Sequence, residues 1–235
     1  NEIITNIDIK NEFKYLLALN NNLKKLDKES IFKISNESKI SDVVKRIELS
    51  KYFKKIVLDN DYSNILIKNT YLRLGHKSVE EFGAYLENYN LTLKDFEERL
   101  TVGALWNELI IRKYESRIVI DEEKLKKGIA NNPDNNNKEY KLAEIVFEIR
   151  NKKEITSRYK EIIDNITEKG FENTASIYSF SETSKIGGDI GWVNESSLND
   201  KIKERIKHLK VGEISGPIIV SNGILILKLK NTRVS

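Results

Sequence analysis

The chain has no cysteine and no methionine among its 235 residues, and it has only two prolines and two histidines. The missing cysteines exclude disulfide bonds and thiolate zinc sites, and two scattered histidines do not make a metal site. We therefore expect neither a metal ion nor a cofactor. No apolar run approaches the roughly 18 residues that a membrane span needs, so no integral membrane segment is predicted in this chain.

An excess of charge of one sign is missing as well. The chain has 40 basic and 36 acidic residues, a net charge of +4 that is too balanced to indicate nucleic-acid binding. The glycine-rich GGDIG at 187–191 is not followed by the Lys-Ser/Thr pair of a phosphate loop, so no nucleotide site is predicted. The chain begins at Asn1 without an initiator methionine, and we therefore expect that a signal peptide or another upstream segment was removed.

Composition along the chain predicts two domains. Residues 131–138, NNPDNNNK, contain no apolar residue and have the composition of a linker. The predicted bounds are a mostly α-helical domain at 1–130, a linker at 131–138 and a mixed domain at 139–235. The expected fold class is α+β.

Helix signals fill the first half. A Ser or Thr with an acidic residue three positions on marks three helix starts, namely Thr5 with Asp8, Ser78 with Glu81, and Thr92 with Asp95. The apolar spacing of Val43, Val44 and Ile47 predicts a helix from Ser41 that continues past Tyr52. A last short helix is expected to begin at Asp121.

Three motifs follow one another in the second half, namely GGDIGW at 187–192, KVGEISGPI at 210–218 and NGILILKL at 222–229. Glycine pairs can adopt positive φ, and Asn-Gly is a strong hairpin signal. In this order the motifs resemble the C-terminal half of a parvulin-type peptidyl-prolyl isomerase domain. Residues 140–149 and 154–169 are similar to its first strand and first helix. The resemblance covers about 139–233 and implies a small mixed or antiparallel sheet surrounded by helices.

The resemblance also assigns the catalytic positions. Active parvulins resemble one another in a pair of core histidines with a Cys or Asp beside them. Here the two histidine positions fall at Glu144 and Leu225, and the Cys/Asp position falls near Ser181. The chain's own histidines, His76 and His208, lie elsewhere and are predicted to be surface residues.

The peptide groove implied by the resemblance is also altered. Its Met, Gln and Phe positions fall at Leu198, Asn199 and Ile202, while Ile190 holds the usual aliphatic place and Trp192 is expected near the groove. A catalyst of prolyl isomerisation must favour the twisted amide through an apolar pocket and a few fixed polar groups. Loss of the histidine pair and of the Phe predicts isomerase activity that is weak or absent.

Two alternatives for this groove stay open. It binds peptide without turnover, or Leu225 and Ile202 simply fill the core. Glu144 alternates with apolar residues on a strand and would be costly if buried and unpaired. We expect it to have a hydroxyl or basic partner, or to lie at the groove mouth.

The helical half is similar to the N-terminal domain of the SurA family of periplasmic chaperones. The similar stretches are EIITNIDI at 2–9, SVEEFGAYLENYNLTLKDFEERL at 78–100 and RKYESRIVIDEEKLKKGI at 112–129. Family members often carry two parvulin domains, whereas this chain has one. They also close the helical domain with a C-terminal helix and strand, and this chain ends just after the last parvulin-like strand. If that tail is missing, apolar surface is exposed here.

The two resemblances together imply an ATP-independent chaperone of the Gram-negative periplasm that holds unfolded or extended polypeptides, with outer-membrane proteins as clients. The first alternative is an active isomerase with a rearranged pocket. The second is an assembly module whose parvulin-like domain only contacts partner proteins, and the third is a relative anchored in the inner membrane.

Overall fold

The computed structural model describes residues 3–117, 138–149, 152–221 and 223–234. The chain divides into two compact units. The first comprises Asn1–Ala18 and Ser35–Asn135, and the second comprises Leu19–Ile34 and Asn136–Ser235. The second unit thus includes a segment from the helical half, which the composition of the chain does not indicate. Of the predicted linker at 131–138, residues 131–137 lie outside the described part of the chain, as does the predicted helix at Asp121.

The first unit is helical. Its elements are α1 (Asn6–Leu19, whose last residue belongs to the second unit), the C-terminal part of α2 (Lys28–Leu49), α3 (Asn60–Arg73), α4 (Val79–Glu87) and α5 (Leu93–Tyr114), which a 3-10 turn extends at Glu115–Arg117. All three predicted capping sites begin helices. In α5 the Thr92 hydroxyl accepts a hydrogen bond from the Asp95 backbone N–H, and the Asp95 carboxylate accepts one from the Thr92 backbone N–H.

Helix α2 has its polar side inward. The side chains that it buries in the first unit are Ser35, Ser38, Asp42, Lys45 and Leu49. Its apolar residues Ile40, Val44 and Ile47 are 44%, 55% and 44% exposed. Because these three follow one another at intervals of four and three residues, they form a continuous stripe on the solvent side of the helix. We call them the α2 stripe.

Buried side chains of α1 and α5 hold this polar side in place. The Glu12 carboxylate accepts hydrogen bonds from Ser38 Oγ at 2.6 Å and from Arg99 Nη1 at 2.5 Å. Arg99 also lies 3.7 Å from an Asp42 carboxylate oxygen. These bonds fix the rotation of α2 about its axis, and that rotation leaves the α2 stripe exposed to solvent.

The predicted helix from Ser41 past Tyr52 was wrong in both bounds, because α2 begins at Lys28 and ends at Leu49.

Aromatic rings fill the centre of the first unit. Phe82 and Phe96 are fully buried and meet edge to face at 5.0 Å between ring centroids. His76 packs on Tyr85 at 4.5 Å, and its side chain is only 15% exposed. The prediction of a surface residue was therefore wrong for His76. His208 is exposed, as predicted.

The second unit is built on a four-stranded antiparallel sheet with the order β2-β1-β4-β3. Its strands are β1 (Lys138–Phe147), β2 (Asp189–Asn194), β3 (Ile218–Val220) and β4 (Gly223–Val234). Its helices are the first turns of α2, α6 (Ile155–Lys169), α7 (Phe171–Tyr178) and α8 (Asp200–Ile206), and short 3-10 turns lie at Asn21–Lys25, Lys152–Glu154, Glu182–Ile186 and Glu195–Ser197. The predicted α+β class is confirmed.

The two faces of the sheet bury different residues, as the two-residue period of a strand requires. One face packs against α6 and α7 through Ala143, Ile145 and Phe147. The opposite face, which we call the groove face, carries Tyr140 and Leu142 together with other buried apolar residues of β4, β3 and α8. No helix within the described ranges is both long enough and apolar enough to cross a membrane.

Candidate functional site

The loop before β2 lies along β1 beyond the end of their pairing. The Phe180 backbone N–H donates to the Val146 carbonyl at 2.9 Å, and the Val146 N–H donates to Ser179 Oγ at 3.0 Å. Further along, the Glu144 N–H donates to the Gly188 carbonyl at 2.8 Å. The loop from 179 to 188 is therefore tied to β1 at both ends, and this path brings its hydroxyl side chains over Glu144.

Glu144 lies on the groove face, between Leu142 and Val146 on the same strand. Its Oε1 atom accepts hydrogen bonds from Ser181 Oγ at 2.5 Å and from Thr183 Oγ1 at 2.9 Å. The two hydroxyl oxygens lie 3.0 Å apart. The predicted hydroxyl partner of Glu144 is confirmed.

The second carboxylate oxygen of Glu144 is in a different situation. The side chain is half-buried, and Oε2 makes no hydrogen bond to any described residue. Among the described residues, Oε2 is not one of the buried side-chain atoms that lack a partner, so it is accessible to solvent. A ligand N–H that enters the groove can therefore reach Oε2 as an acceptor, while Oε1 is held in place by the two hydroxyls.

Gly188 is required for this arrangement. Its φ is +79°, and a Cβ built at this position would lie 2.2 Å from the carbonyl oxygen of Glu144. No other residue permits both this backbone conformation and this close approach. The backbone of the loop can therefore contact β1 directly beneath the Glu144 side chain.

The apolar part of the groove face surrounds Leu225, which is 6% exposed. Leu225 pairs across the strands with Val146, and Leu227 pairs with Glu144. Leu198 and Ile202 are partly buried and pack on the same cluster. The structure thus brings together four of the predicted positions, Glu144, Leu225, Leu198 and Ile202, with Ser181 beside them.

Three further predicted groove residues lie differently. Asn199 begins α8, where its Oδ1 accepts a hydrogen bond from the Ile202 backbone N–H at 3.0 Å, so its carbonyl group serves the helix. Ile190 is 36% exposed and belongs to neither buried cluster. Trp192 pairs with Lys141, which points away from the groove face, and Arg233 Cζ lies 4.3 Å from the centroid of its ring. The structure does not bring Trp192 together with Glu144 and Leu225.

A second polar contact lies at the end of the groove face. Tyr140 Oη donates a hydrogen bond to Glu195 Oε1 at 2.6 Å. Burial, together with this hydrogen bond to a carboxylate, raises the pKa of Tyr140. The phenol therefore stays protonated at neutral pH and holds the 3-10 turn at Glu195–Ser197 against β1.

Thr183 and Ser179 are parts of this site to which the sequence assigned no role, whereas the positive φ of Gly188 was predicted from its glycine pair. The Thr183 hydroxyl lies two residues after Ser181, and this spacing was the available signal. Its contact with Glu144 depends on the path of the loop, which a sequence pattern does not specify.

Residues 140–231 match the protein family described as "Rotamase: PPIC-type PPIASE domain". The chain is 27% identical over 165 residues to "Chaperone SurA" of Pseudomonas putida. It is 31% identical over 71 residues to "Chaperone SurA" of Cupriavidus pinatubonensis. The chain is a SurA-like protein with a PpiC-type domain.

Coverage differs between these similarities. The match to the Pseudomonas putida protein covers 66% of this chain and 39% of that protein, and the match to the Cupriavidus protein covers 30% and 14%. The SurA-like chain thus spans less than half the length of these relatives. A solved structure of a SurA-like chaperone from Campylobacter jejuni superposes with a TM-score of 0.36 at 16% identity, covering 99% of this chain and 80% of that one.

The chemistry available in the PpiC-type domain follows from its side chains. Leu225 is buried in the core, so the groove face offers apolar surface at the partly buried Leu198 and Ile202, together with an acceptor at Glu144 and the hydroxyl groups of Ser181 and Thr183. Neither histidine of the SurA-like chain lies there, because His208 follows α8 on the exposed side and His76 belongs to the helical unit. The groove can bind a peptide by apolar contact and by one or two hydrogen bonds.

Proposed function

We propose that this SurA-like chain is an ATP-independent chaperone that holds unfolded or extended polypeptides. We further propose that its clients are outer-membrane proteins and that it works in the periplasm of a Gram-negative bacterium. The similarity to proteins named Chaperone SurA supports the first statement. The clients and the compartment follow from the sequence resemblance and are part of the proposal.

The α2 stripe is the structural observation that carries the proposal. A surface helix ordinarily turns its apolar side to the core, but α2 turns Ser38, Asp42 and Lys45 inward. Its apolar stripe stays in solvent because hydrogen bonds to Glu12 and the ion pair between Asp42 and Arg99 fix the rotation of the helix. Exposed contiguous apolar surface is typical of protein-binding sites.

Client chemistry fits such a stripe. Strands of outer-membrane barrels alternate apolar and polar residues, so an unfolded segment presents an apolar side chain at every second position. An extended segment advances about 6.6 Å over two residues, and one helical turn advances about 5.4 Å. Successive apolar side chains of the client can therefore contact successive residues of the α2 stripe.

The test variant replaces Ile40, Val44 and Ile47 together by serine. Fluorescence anisotropy measures its binding of a urea-unfolded outer-membrane protein after the urea is diluted. We expect affinity to fall by about tenfold or more, because three half-exposed apolar side chains lose their contact area. Far-UV circular dichroism should be unchanged, since the polar side of α2 is untouched.

A matched control replaces two equally exposed apolar residues of α3, Ile65 and Leu72, by serine. Binding by this control should stay within about twofold of the parent chain, a difference below about 0.5 kcal/mol. Unchanged binding by the triple variant, or an equal loss in the control, would show that the α2 stripe is not the client site.

Prolyl isomerase activity is the second candidate function, and the acceptor at Glu144 is the one observation that favours it. We propose weak or absent prolyl isomerase activity as the main account, because the groove face lacks an imidazole. A rearranged active site remains the alternative, since Glu144 Oε2 is open to a ligand and Ser181 and Thr183 hold Oε1. The two accounts differ in turnover of a Xaa-Pro peptide.

A further inference from the structure

A second surface of the sheet unit lies between α8 and β3. It is an open depression of about 590 Å³ whose helix side is lined by Lys201, Arg205 and His208 and whose strand side is lined by Pro217 and Ile219. The inner residues of α8, Ile202 and Ile206, pack instead on the groove-face cluster. We call this depression the α8 shelf.

The α8 shelf has an excess of positive charge. Within the described part of the chain, Lys201 and Arg205 make no side-chain ion pair or hydrogen bond, and both are exposed. The acidic residue of the shelf, Glu204, is already paired with Lys207 at 2.5 Å. Two unneutralised cations, with an imidazole beside them, therefore face the depression.

The spacing of these cations suits an extended chain. Lys201 and Arg205 are four residues apart on one helix, so they lie on the same side and differ by about 6 Å along the axis. Residues i and i+2 of an extended polypeptide point the same way and differ by about 6.6 Å. Two carboxylates at such positions can each meet one of the two cations.

The strand side supplies an apolar contact next to the charges. Ile219 is 61% exposed on β3, which is an edge strand of the sheet and pairs only with β4. Pro217 precedes the strand and has no N–H to donate. A ligand on the shelf therefore meets apolar side chains on one wall and cations on the other.

We propose that the α8 shelf binds extended polypeptide segments that carry two acidic side chains at positions i and i+2 together with a neighbouring apolar residue. The α8 shelf shares no residue with the α2 stripe, and it adjoins the groove-face cluster only through Ile218. The inference rests on the proposed function only in taking an unfolded polypeptide as the ligand. The proposed ligand is a polypeptide, and a free anion or an acidic membrane surface is an alternative outcome of the test.

The test uses the full chain and four labelled twelve-residue peptides with a Thr/Val background, measured by fluorescence anisotropy at low salt. They carry Asp at i and i+2, Asp at i and i+1, Asn at i and i+2, or Lys at i and i+2. We expect the first peptide to bind about tenfold tighter than the Asn peptide, since two exposed ion pairs form. Salt should weaken its binding.

Two variants locate the binding. Lys201→Glu and Arg205→Glu should each remove most of the preference for the Asp i, i+2 peptide. Lys160→Glu makes the same charge change on the exposed side of α6 and should leave the preference intact. Amide resonances of Ile218 and Ile219 should shift on titration, whereas those of Glu144 and Ser181 should not.

Several results would overturn the proposal. Equal binding of the two Asp peptides, or full competition by equimolar inorganic phosphate, would indicate a simple anion site. Tighter binding to vesicles with anionic lipid than to any peptide would indicate a membrane-surface site.

The α8 shelf and the proposed function can fail separately. If the α2 stripe variant loses unfolded-protein binding but keeps the peptide preference, the α8 shelf binds its peptide independently of the α2 stripe.

Discussion

At the scale of single residues, the Glu144 site depends on the close approach of the Gly188 backbone. A Cβ at this position would overlap the Glu144 carbonyl oxygen, and its φ of +79° is strained for any other residue. We predict that Gly188→Ala lowers the free energy of unfolding by about 2 kcal/mol or more. Urea denaturation followed by far-UV circular dichroism measures this change.

The control for this prediction is Gly83→Ala in the interior of α4, where a Cβ would meet nothing within 4 Å. Alanine is favoured over glycine in a helix, so the free energy of unfolding should rise by up to about 1 kcal/mol. If both variants changed stability alike, the loop would not be held against β1 by Gly188.

Residue identities could be predicted from the sequence where the interaction is local. The capping pair Thr92 and Asp95 is an example, because both partners lie within one helical turn. The partner of Glu144 could be predicted only as a type, a hydroxyl or a base. Thr183 stayed unassigned because it lies 39 residues from Glu144 in the sequence, and their contact depends on the path of the loop before β2.

At the scale of elements, α2 shows where hydrophobic periodicity is insufficient. The spacing of Val44 and Ile47 correctly indicates a helix, but period alone does not tell which side is buried. The buried side is decided by partners on other helices, Glu12 on α1 and Arg99 on α5. A local sequence pattern contains no information about those long-range pairs, so the inward polar side of α2 was not predicted.

This account of α2 makes a stability prediction. Glu12→Ala should lower the free energy of unfolding by about 3 kcal/mol, because Arg99 and Ser38 lose a buried acceptor. Chemical denaturation of the full chain measures the loss, with hydrogen exchange of α2 amides as a local readout. Glu12 is fully buried, so water cannot readily replace the missing carboxylate.

The matched control is Glu108→Ala on α5, whose ion pair with Arg112 is largely exposed. Removal of an exposed pair should change the free energy of unfolding by no more than about 0.5 kcal/mol. A small effect of Glu12→Ala, similar to that of the control, would contradict the view that this network fixes the rotation of α2.

At the scale of the whole molecule, the chain divides into a helical unit and an α+β unit, and residues 19–34 are the part of the helical half that the second unit includes. That segment belongs with the sheet unit, where the Asn20 side-chain amide donates to Ser176 Oγ at 3.3 Å. Composition marks boundaries between neighbouring stretches of sequence. It does not indicate that a stretch packs on a unit more than a hundred residues away.

The combination of features supports holding over catalysis. Apolar surface is exposed on α2 in a conformation fixed by buried polar contacts, while the groove face of the PpiC-type domain carries neither His76 nor His208. A chaperone that holds its client needs only modest and reversible contacts of this kind.

The most direct test places both activities in one sample. Light scattering would follow aggregation of an unfolded outer-membrane protein without ATP, and NMR exchange would follow cis/trans turnover of a Xaa-Pro peptide at the same chain concentration. We predict clear suppression of aggregation and an exchange rate equal to the uncatalysed rate. Rapid turnover that is abolished in Glu144→Gln, with no suppression of aggregation, would contradict the account and identify an isomerase with a rearranged pocket.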